Sequence, residues 1–359
     1  MPTISRRQSP TAAEGLRLEA RRAGLVTANG PRTGGLIVCV VILGAAIVLS
    51  LGVGARDIAL PTVWAALTQF DPANDEHLIV LQLRVPRTVT GLVVGPALGM
   101  CGALIQAFTR NPLADPGILG VNAGASFAVT IAVGVFGVAA PWGYVWFALC
   151  GAAGATVLVY MLGSLGHRQA DPIRLTLAGV AISAALGGVT TALTLANRDA
   201  FQDLRFWGVG SVGGRDLGVV LGLSWLIAAG LVLSLAMARS LNALALGDEL
   251  ATSLGVRTGT VRVGVIVAVT LLAGTATALA GPIAFVGLMV PHVVRWFVGP
   301  DQRWIALYTL VCGPILLLLA DVVGRIILPN GELRVGLVSA IIGAPVLILL
   351  ARRRMASGL

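Results

Sequence analysis

Long apolar stretches separated by short polar connections dominate this chain. The hydrocarbon core of a bilayer requires about 20 apolar residues per helix, and this criterion predicts about ten spans. They fall near residues 35–54, 88–108, 117–137, 141–163, 173–195, 217–237, 260–280, 283–298, 304–322 and 335–351. Glycine and proline interrupt the pieces around 281–300 and 322–335. The predicted fold class is therefore an all-α polytopic membrane protein.

Three connections between the predicted spans are longer and more polar than the others: 55–87, 196–216 and 238–259. The first contains a short apolar piece, Leu60–Phe70, that could lie along the membrane surface. None of them is long enough to fold alone. We therefore predict a tail over 1–34, a single transmembrane domain over 35–354 that includes the connection 238–259, and a C-terminal tail over 355–359.

Composition supports a membrane protein and excludes two kinds of chemistry. Apolar residues make up 57% of the 359 residues and charged residues 11%, whereas soluble domains carry about 25% charge. All 25 basic residues are arginine. A P-loop ATPase requires a lysine that contacts the nucleotide phosphates, and Schiff-base catalysis requires a lysine amine. The absence of lysine excludes both from this chain. The four cysteines lie in apolar stretches and are interpreted as packing residues.

The net charge of +9 is concentrated near the two ends of the chain. The arginines that flank the spans are Arg6, Arg7, Arg17, Arg21, Arg22 and Arg32 before the first, and Arg352, Arg353 and Arg354 after the last. By the positive-inside rule, both termini are expected in the cytoplasm. Arg6 and Arg7 resemble a twin-arginine signal, but the apolar region begins almost 30 residues later, so an uncleaved tail is favoured.

The predicted spans are almost free of charged residues. Only Asp321 and Arg325 lie near a span, four residues apart, where one helix face allows them to pair. An ion-coupled transporter is expected to carry buried carboxylates along its pathway. Their scarcity argues against that class and suggests that another subunit supplies the energy. A membrane-embedded enzyme is disfavoured because no paired polar constellation resembles a catalytic site.

Small residues recur every four positions in the second predicted span, at Gly91, Gly95, Gly99 and Ala103. Such a stripe permits close approach of another helix. Two interpretations remain open and are compatible: simple helix packing, or a tightly packed helix beside a translocation path.

A double-proline turn follows this span, in the segment Asn111–Gly117. Asp115 suits the N-cap of the next helix, with Pro116 at its first position. Gln106 and Asn111 either face a polar path or merely cap the turn, and the sequence favours neither.

The segment Leu241–Gly255 predicts a short amphipathic helix. Asp248 and Glu249 suit its start, and Gly255 suits its C-terminal cap. Leu250 and Leu254 fall on one face. We interpret this segment as a docking helix for a cytoplasmic partner.

Four blocks in the same order resemble the FecCD-type permeases, the vitamin-B12-permease-like membrane subunits of ABC importers. They are Leu83–Ser126, Leu246–Val256, Ala280–Arg295 and Leu319–Leu350, and the resemblance covers roughly residues 80–354. The family usually has Glu-Leu-Pro-Val-Gly before the last span, whereas this chain has Arg334 in place of that proline. His292 belongs to the third block, which explains it better than haem ligation does.

The resemblance implies a type II ABC importer permease fold and a set of partners. These are a second, identical or related permease, two cytoplasmic ATPase subunits that bind ATP and magnesium, and an extracytoplasmic substrate-binding protein. It implies no metal, no cofactor and no nucleic acid on this chain, and no enzyme activity of its own. The location implied is the bacterial cytoplasmic (inner) membrane.

The resemblance also assigns candidate sites. Docking of the binding protein falls on Arg84, Arg87 and Arg325, although Arg84 and Arg87 could instead snorkel at a helix end. Coupling to the ATPase falls on Leu246, Gly247, Glu249, Ala251, Leu254 and Gly255. The implied function is import of a ferric siderophore by alternating access. Cobalamin or haem import with the same architecture is the alternative, and an ion-coupled secondary transporter is the alternative from another class.

Overall fold

The computed structural model describes residue 26 and residues 28–138, 140–164, 172–196, 207–328 and 331–356. Within these ranges all regular structure is helical. The twelve helices described are α1 (Asn29–Gly52), α2 (Leu60–Thr68), α3 (Asp75–Phe108), α4 (Val121–Gly134), α5 (Pro141–Ser164), α6 (Pro172–Ala196), α7 (Leu217–Ala245), α8 (Asp248–Ser253), α9 (Thr258–Ala280), α10 (Val286–Val298), α11 (Gln302–Ile326) and α12 (Val335–Ala356).

Each predicted span corresponds to a helix. Seven helices in the described ranges are long and apolar enough to cross a membrane, and α4, α10 and α12 are further apolar helices. The prediction of an all-helical membrane protein is confirmed. The segment Leu60–Phe70 contains α2, which exposes Leu60, Trp64 and Leu67.

The start of α3 differs from the prediction. The second span was expected from residue 88, but α3 begins at Asp75, so much of the supposed connection is helical. The Asn74 side chain caps this start, because its Oδ1 accepts a hydrogen bond from the Glu76 amide at 2.9 Å. Residues Ile79–Arg84 form a π-helical turn within α3. The polar residues of the first turn concealed this extension in the sequence.

α3 is the central helix of the bundle. In its most apolar window 78% of the residues are buried inside the protein, against 11% in α1 and in α6. A Cβ atom on Gly95 would lie 2.5 Å from the Pro314 Cα of α11, and one on Gly91 would lie 2.6 Å from the Leu318 side chain. The glycine stripe is therefore a packing seam between α3 and α11.

A non-helical segment, residues 281–285, separates α9 from α10. Phe285 adopts a positive φ of 67°, a conformation that costs a residue with a side chain about 1–2 kcal/mol. The Ser339 hydroxyl donates to the Ala284 carbonyl at 3.1 Å, and glycine at position 343 leaves room for the Phe285 ring. Non-helical backbone is tolerated within a membrane protein where neighbouring helices provide hydrogen-bond partners for its polar groups, as Ser339 does here.

Two ends of the bundle carry the candidate sites. Arg84, Arg87, Arg325 and Glu332 line one cavity, and we call this the arginine end. The short helix α8 and the turn after α3 meet at the opposite end, which we call the α8 end. α3 connects the two ends, and its 34 residues extend about 50 Å at 1.5 Å per residue.

Candidate docking and coupling sites

Asp321 is the centre of the arginine end. Its side chain is only 1% exposed, and both of its carboxylate oxygens accept from the Arg87 Nε, at 2.9 and 2.8 Å. The Arg325 Nη2 lies 3.1 Å from the Asp321 Oδ2. The predicted pairing of Asp321 with Arg325 is thus confirmed, and Arg87 is a second partner. A buried carboxylate requires such pairing, because removal from water is expensive for an isolated charge.

Arg84 binds the backbone at the C-terminal end of α1. Its Nη1 donates to the carbonyl oxygens of Leu51, at 2.6 Å, and of Gly52. Its Nη2 donates to the Arg56 carbonyl. The last four carbonyls of a helix have no partner within the helix, and a cation there also complements the helix dipole. Arg84 therefore acts as a C-terminal cap for α1.

Arg325 contributes to the same cap from α11. Its Nη1 donates to the carbonyls of Ser50 and Val53, each at 2.9 Å, and its Nη2 donates to the Ser50 hydroxyl at 3.1 Å. The Ser50 hydroxyl is also 2.8 Å from the Thr88 hydroxyl. Two arginines from distant parts of the sequence thus fix the end of α1 against α3 and α11.

An open cavity of about 370 Å³ lies at the arginine end, lined by Arg56, Arg84, Arg87, Arg325 and Glu332 among others. The side chains differ in how much they face it. Arg84 is 5% and Arg325 is 3% exposed, whereas the Arg87 side chain is 13% exposed. Arg87 Nη1 donates to Glu332 Oε2 at 2.7 Å. In this conformation Arg84 and Arg325 bind their own chain, and Arg87 is the most accessible of the three predicted docking residues.

Position 334, where the sequence departs from the family pattern, lies immediately before α12. The Arg334 carbonyl accepts from the amides of Leu337 and Val338, at 3.0 and 3.2 Å, so α12 begins without the proline. Burial lowers the pKa of the Arg334 guanidinium below its ordinary value. Arg334 therefore preserves the helix start and adds a cation two residues after Glu332, which lines the cavity.

The short helix α8 matches the amphipathic pattern in the sequence. Gly247, with φ 115°, precedes it, and Gly255, with φ 80°, follows it. Ala251 is fully buried, and Glu249 is exposed. Three leucines point away from the protein: Leu246, Leu250 and Leu254 are 63%, 56% and 65% exposed. Leu250 lies on α8 and the other two leucines flank it, and such a group of exposed leucines is a surface suited to a partner protein.

Asp248, the first residue of α8, binds two arginines. Its Oδ1 accepts from Arg110 Nη2 at 2.5 Å, and its Oδ2 accepts from Arg262 Nη2 at 2.7 Å. Arg110 lies in the turn after α3, and its Nε also donates to the Leu244 carbonyl at 3.0 Å. These contacts join α8 to three neighbouring elements. The sequence indicates only a helix start at Asp248, so these contacts between distant residues could not be predicted from it.

The structure gives both candidate path residues local roles. Gln106 is buried, and its Nε2 donates to the Leu288 carbonyl at 3.0 Å, while its Oε1 has no hydrogen-bond partner. The Asn111 Oδ1 accepts from the Leu113 amide at 3.0 Å and caps the turn. Gln106 is therefore a link between α3 and α10 with one unused acceptor.

Asp115 lies in the turn between α3 and α4, and His292 of α10 contacts the same turn. The Asp115 Oδ1 accepts from the Gly117 amide at 2.8 Å and caps a short 3-10 turn, Pro116–Leu119, which precedes α4. Burial raises the pKa of the Asp115 carboxyl, and this hydrogen bond acts in the opposite direction. His292 Nδ1 lies 3.3 Å from the Pro112 carbonyl, and its ring meets Trp296 edge-on. Within the described ranges no three His, Cys, Asp or Glu side chains cluster as a metal site does.

The fold matches that of a known membrane transporter subunit. A chain of a metal-chelate type ABC transporter, solved in an inward-facing conformation, superposes with a TM-score of 0.78 and 27% sequence identity. The match covers 89% of this chain and 99% of that one. The helix bundle is thus that of the permease subunit of an ABC importer, a class in which the ATPase is a separate subunit.

Sequence comparison defines the family within that class. The sequence model of the FecCD transport family matches residues 41–353. The chain belongs to the FecCD transport family, and it is a multi-pass protein of the inner membrane. The resemblance derived from the four sequence blocks is confirmed.

Three curated relatives illustrate the range of the family. The ferric enterobactin transport system permease of Escherichia coli (strain K12) is 47% identical over 326 residues, covering 90% of this chain and 96% of the relative. The iron(3+)-hydroxamate import system permease of Bacillus subtilis (strain 168) is 40% identical, with coverages of 88% and 81%. The hemin transport system permease of Yersinia pestis is 35% identical, with coverages of 87% and 95%.

Proposed function

We propose that this chain carries a ferric siderophore across the inner membrane as the permease subunit of an ABC importer. The observation that supports this substrate class most strongly is the 47% identity with a ferric enterobactin permease over nearly the whole of both chains. A ferric hydroxamate permease at 40% identity supports the same class. The substrate is then a whole iron chelate, and this chain performs no chemistry on it.

Import requires partners that bind the two ends of the bundle. The importer has two ATPase subunits, which bind ATP and magnesium, and we assign one of them to the exposed leucines of α8 and its flanks. A second permease subunit, identical or related, completes the translocation path. The α8 end then faces the cytoplasm, and the arginine-rich termini lie on the same side by the positive-inside rule.

We assign the extracytoplasmic binding protein to the arginine end. The cavity there has four arginines and one glutamate among its lining residues, so it favours acidic groups on a partner. Charge pairs at a wet rim set orientation and association rate more than affinity. Arg87 is the best placed to bind a partner carboxylate. An incoming acid can replace the partly exposed Glu332 as the group that receives the Arg87 Nη1 hydrogen bond. Arg84 and Arg325 then support the site by capping α1.

Alternating access links the two ends. ATP binding closes the ATPase dimer, α8 carries that motion into the bundle, and the helices open toward one face at a time. The buried Asp321 does not suggest an ion-coupled mechanism, since two arginines already compensate its charge. Energy from the ATPase is the more consistent source.

Uptake measurements test the substrate class. A strain lacking only this chain is supplied with radioactive iron as a ferric catecholate, a ferric hydroxamate or haem, and with labelled cobalamin. Loss of uptake of a ferric siderophore alone, restored by the intact gene, is the expected result. Loss of haem or cobalamin uptake with normal siderophore uptake would contradict the proposed substrate.

A further inference from the structure

One charged side chain of the short helix α8, that of Asp248, binds the bundle on two sides. Asp248 gives one carboxylate oxygen to Arg110 and the other to Arg262, at 2.5 and 2.7 Å. Arg110 belongs to the turn that ends α3, and Arg262 belongs to the second turn of α9. A single carboxylate therefore joins the partner-facing helix to two separate helices.

Arg110 is held in a defined position by its own surroundings. Its φ of 51° lies in the left-handed region, which residues with a side chain rarely adopt. Its Nε donates to the Leu244 carbonyl, near the end of α7, while its Nη2 donates to Asp248. The residue thus bridges α7 and α8 at the point where the backbone leaves α3.

The two ion pairs of Asp248 differ in exposure. The side chains of Arg110 and Asp248 are 45% and 24% exposed, so water screens that pair, whereas the Arg262 side chain is 13% exposed. Ala251 of α8 faces the bundle, and the exposed leucines on and beside α8 lie on the side that faces away from it. A force on the leucine face reaches the bundle through Ala251 packing and through Asp248.

We propose that Asp248 is a positioning residue that transmits the movement of α8 to the α3–α4 turn through Arg110 and to α9 through Arg262. This inference rests on the proposed function, in which α8 receives the ATPase. The same α3 carries Arg84 and Arg87 near its other end. Asp248 therefore connects the coupling helix to the helix that spans both candidate sites.

Hydrogen–deuterium exchange on the complex with its ATPase tests the proposal without knowledge of the substrate. Exchange in α8, in residues 109–120 and in α9 is compared with and without Mg-ATP and vanadate. In the unmodified complex we expect all three segments to respond. In Asp248→Asn, α8 should still respond, and the response of residues 109–120 should fall by about fivefold or more, the scale of typical coupling between sites.

Two variants, each lacking one of the arginines that bind Asp248, and one control variant test the two contacts separately. Arg110→Gln should abolish the exchange response of residues 109–120 and leave that of α9 unchanged. Arg262→Gln should abolish the response of α9 and leave that of residues 109–120 unchanged. Arg110 is half exposed, so its variant should fold even if Asp248→Asn does not. Asp301→Asn removes a carboxylate at the start of α11, beside Asn242 of α7, and should leave both responses unchanged.

The contradicting results are separable. An unchanged response of residues 109–120 in Asp248→Asn and Arg110→Gln would overturn the proposal. Loss of the ATPase from purified Asp248→Asn would also overturn it, because Asp248 would then belong to the docking surface. Failure of the unmodified chain to retain an ATPase would refute the proposed function itself.

Discussion

The Arg87 Nε lies 2.9 and 2.8 Å from the two carboxylate oxygens of Asp321, a residue 234 positions further along the chain. This contact joins α3 to α11 at the arginine end. It also divides the arginines there into two groups. Arg84 and Arg325 hold the end of α1, while Arg87 extends from Asp321 toward Glu332 and the open cavity.

Loss of the Asp321 carboxylate should destabilise the protein strongly. Asp321→Asn leaves Arg87 and Arg325 without their buried counter-charge, and breaking a buried pair costs about 3–5 kcal/mol. Thermal unfolding of the purified protein in detergent measures the effect. Glu332→Gln removes an acid that is 41% exposed and should cost less than about 1 kcal/mol. Equal effects of the two variants would contradict the buried role of Asp321.

The packing seam between α3 and α11 should not tolerate a side chain. Gly95→Val places atoms within the Pro314 backbone, so we expect little monodisperse protein in fluorescence-detected size-exclusion chromatography. Gly44→Ala is the matched control, since nothing lies within 4 Å of a Cβ there. Alanine at that helix position should be neutral or slightly stabilising. Normal folding of Gly95→Val would show that the helices are not in close contact.

The exposed leucines of α8 should be required for the ATPase and not for folding. Leu250→Glu places a charge on the proposed contact surface, where it would be desolvated on binding. We expect loss of ATPase copurification with an unchanged unfolding temperature. Thr260→Glu adds the same charge at an exposed position of α9 and should retain the ATPase. Retention of the ATPase by Leu250→Glu would contradict the coupling role of α8.

The buried capping carboxyl of Asp115 should make stability depend on pH. Burial raises its folded pKa above the ordinary 3.8, so on raising the pH the unfolded state releases its proton first. Stability from this group therefore falls as the pH rises through that interval. Asp115→Asn keeps an acceptor for Gly117 and should raise the unfolding temperature more at pH 8 than at pH 3, which lies below the ordinary pKa of 3.8. An equal change at both values would contradict the assignment.

Docking of the binding protein should depend on Arg87 more than on its exposed neighbour. Arg87→Gln removes the charge that faces Glu332 and leaves Asp321 paired with Arg325 alone. In variant protein that stays monodisperse, we expect about a tenfold or greater loss of binding-protein affinity, equivalent to about 1.4 kcal/mol. Arg56→Gln removes a charge that is 61% exposed and paired with Glu76, and it should have a smaller effect. Binding of the purified binding protein to the complex in nanodiscs provides the measurement. The reverse order would move the docking site toward Arg56.

Much of the fold could be predicted because a bilayer imposes a simple length and hydrophobicity requirement on each span. Helix α8 was also predictable, since glycines and acidic residues mark its limits locally. The predicted start of α3, residue 88, was wrong, because the helix begins at Asp75 with a polar first turn that Asn74 caps. Hydrophobic patterns in the sequence identify the apolar part of a helix well, but they miss an N-terminal turn made of polar residues.

The candidate sites were less predictable, because their geometry depends on contacts between distant residues. The pairing of Asp321 with Arg325 was evident from their four-residue spacing. Its extension to Arg87 was not, and neither was the burial of Arg84 against the end of α1. The role of Asp248 likewise depends on Arg110, which is 138 residues away in sequence. Sequence spacing indicates which residues share a helix face, but not which helices meet.

Transport by the purified importer in proteoliposomes tests the central claim most directly. The vesicles contain this chain with its partner permease and ATPase subunits, the binding protein on the arginine-end side, and a radioactive ferric siderophore. We predict accumulation that requires Mg-ATP on the α8 side and is absent with an ion gradient alone. Accumulation driven by an ion gradient in vesicles that contain only this chain would contradict the account.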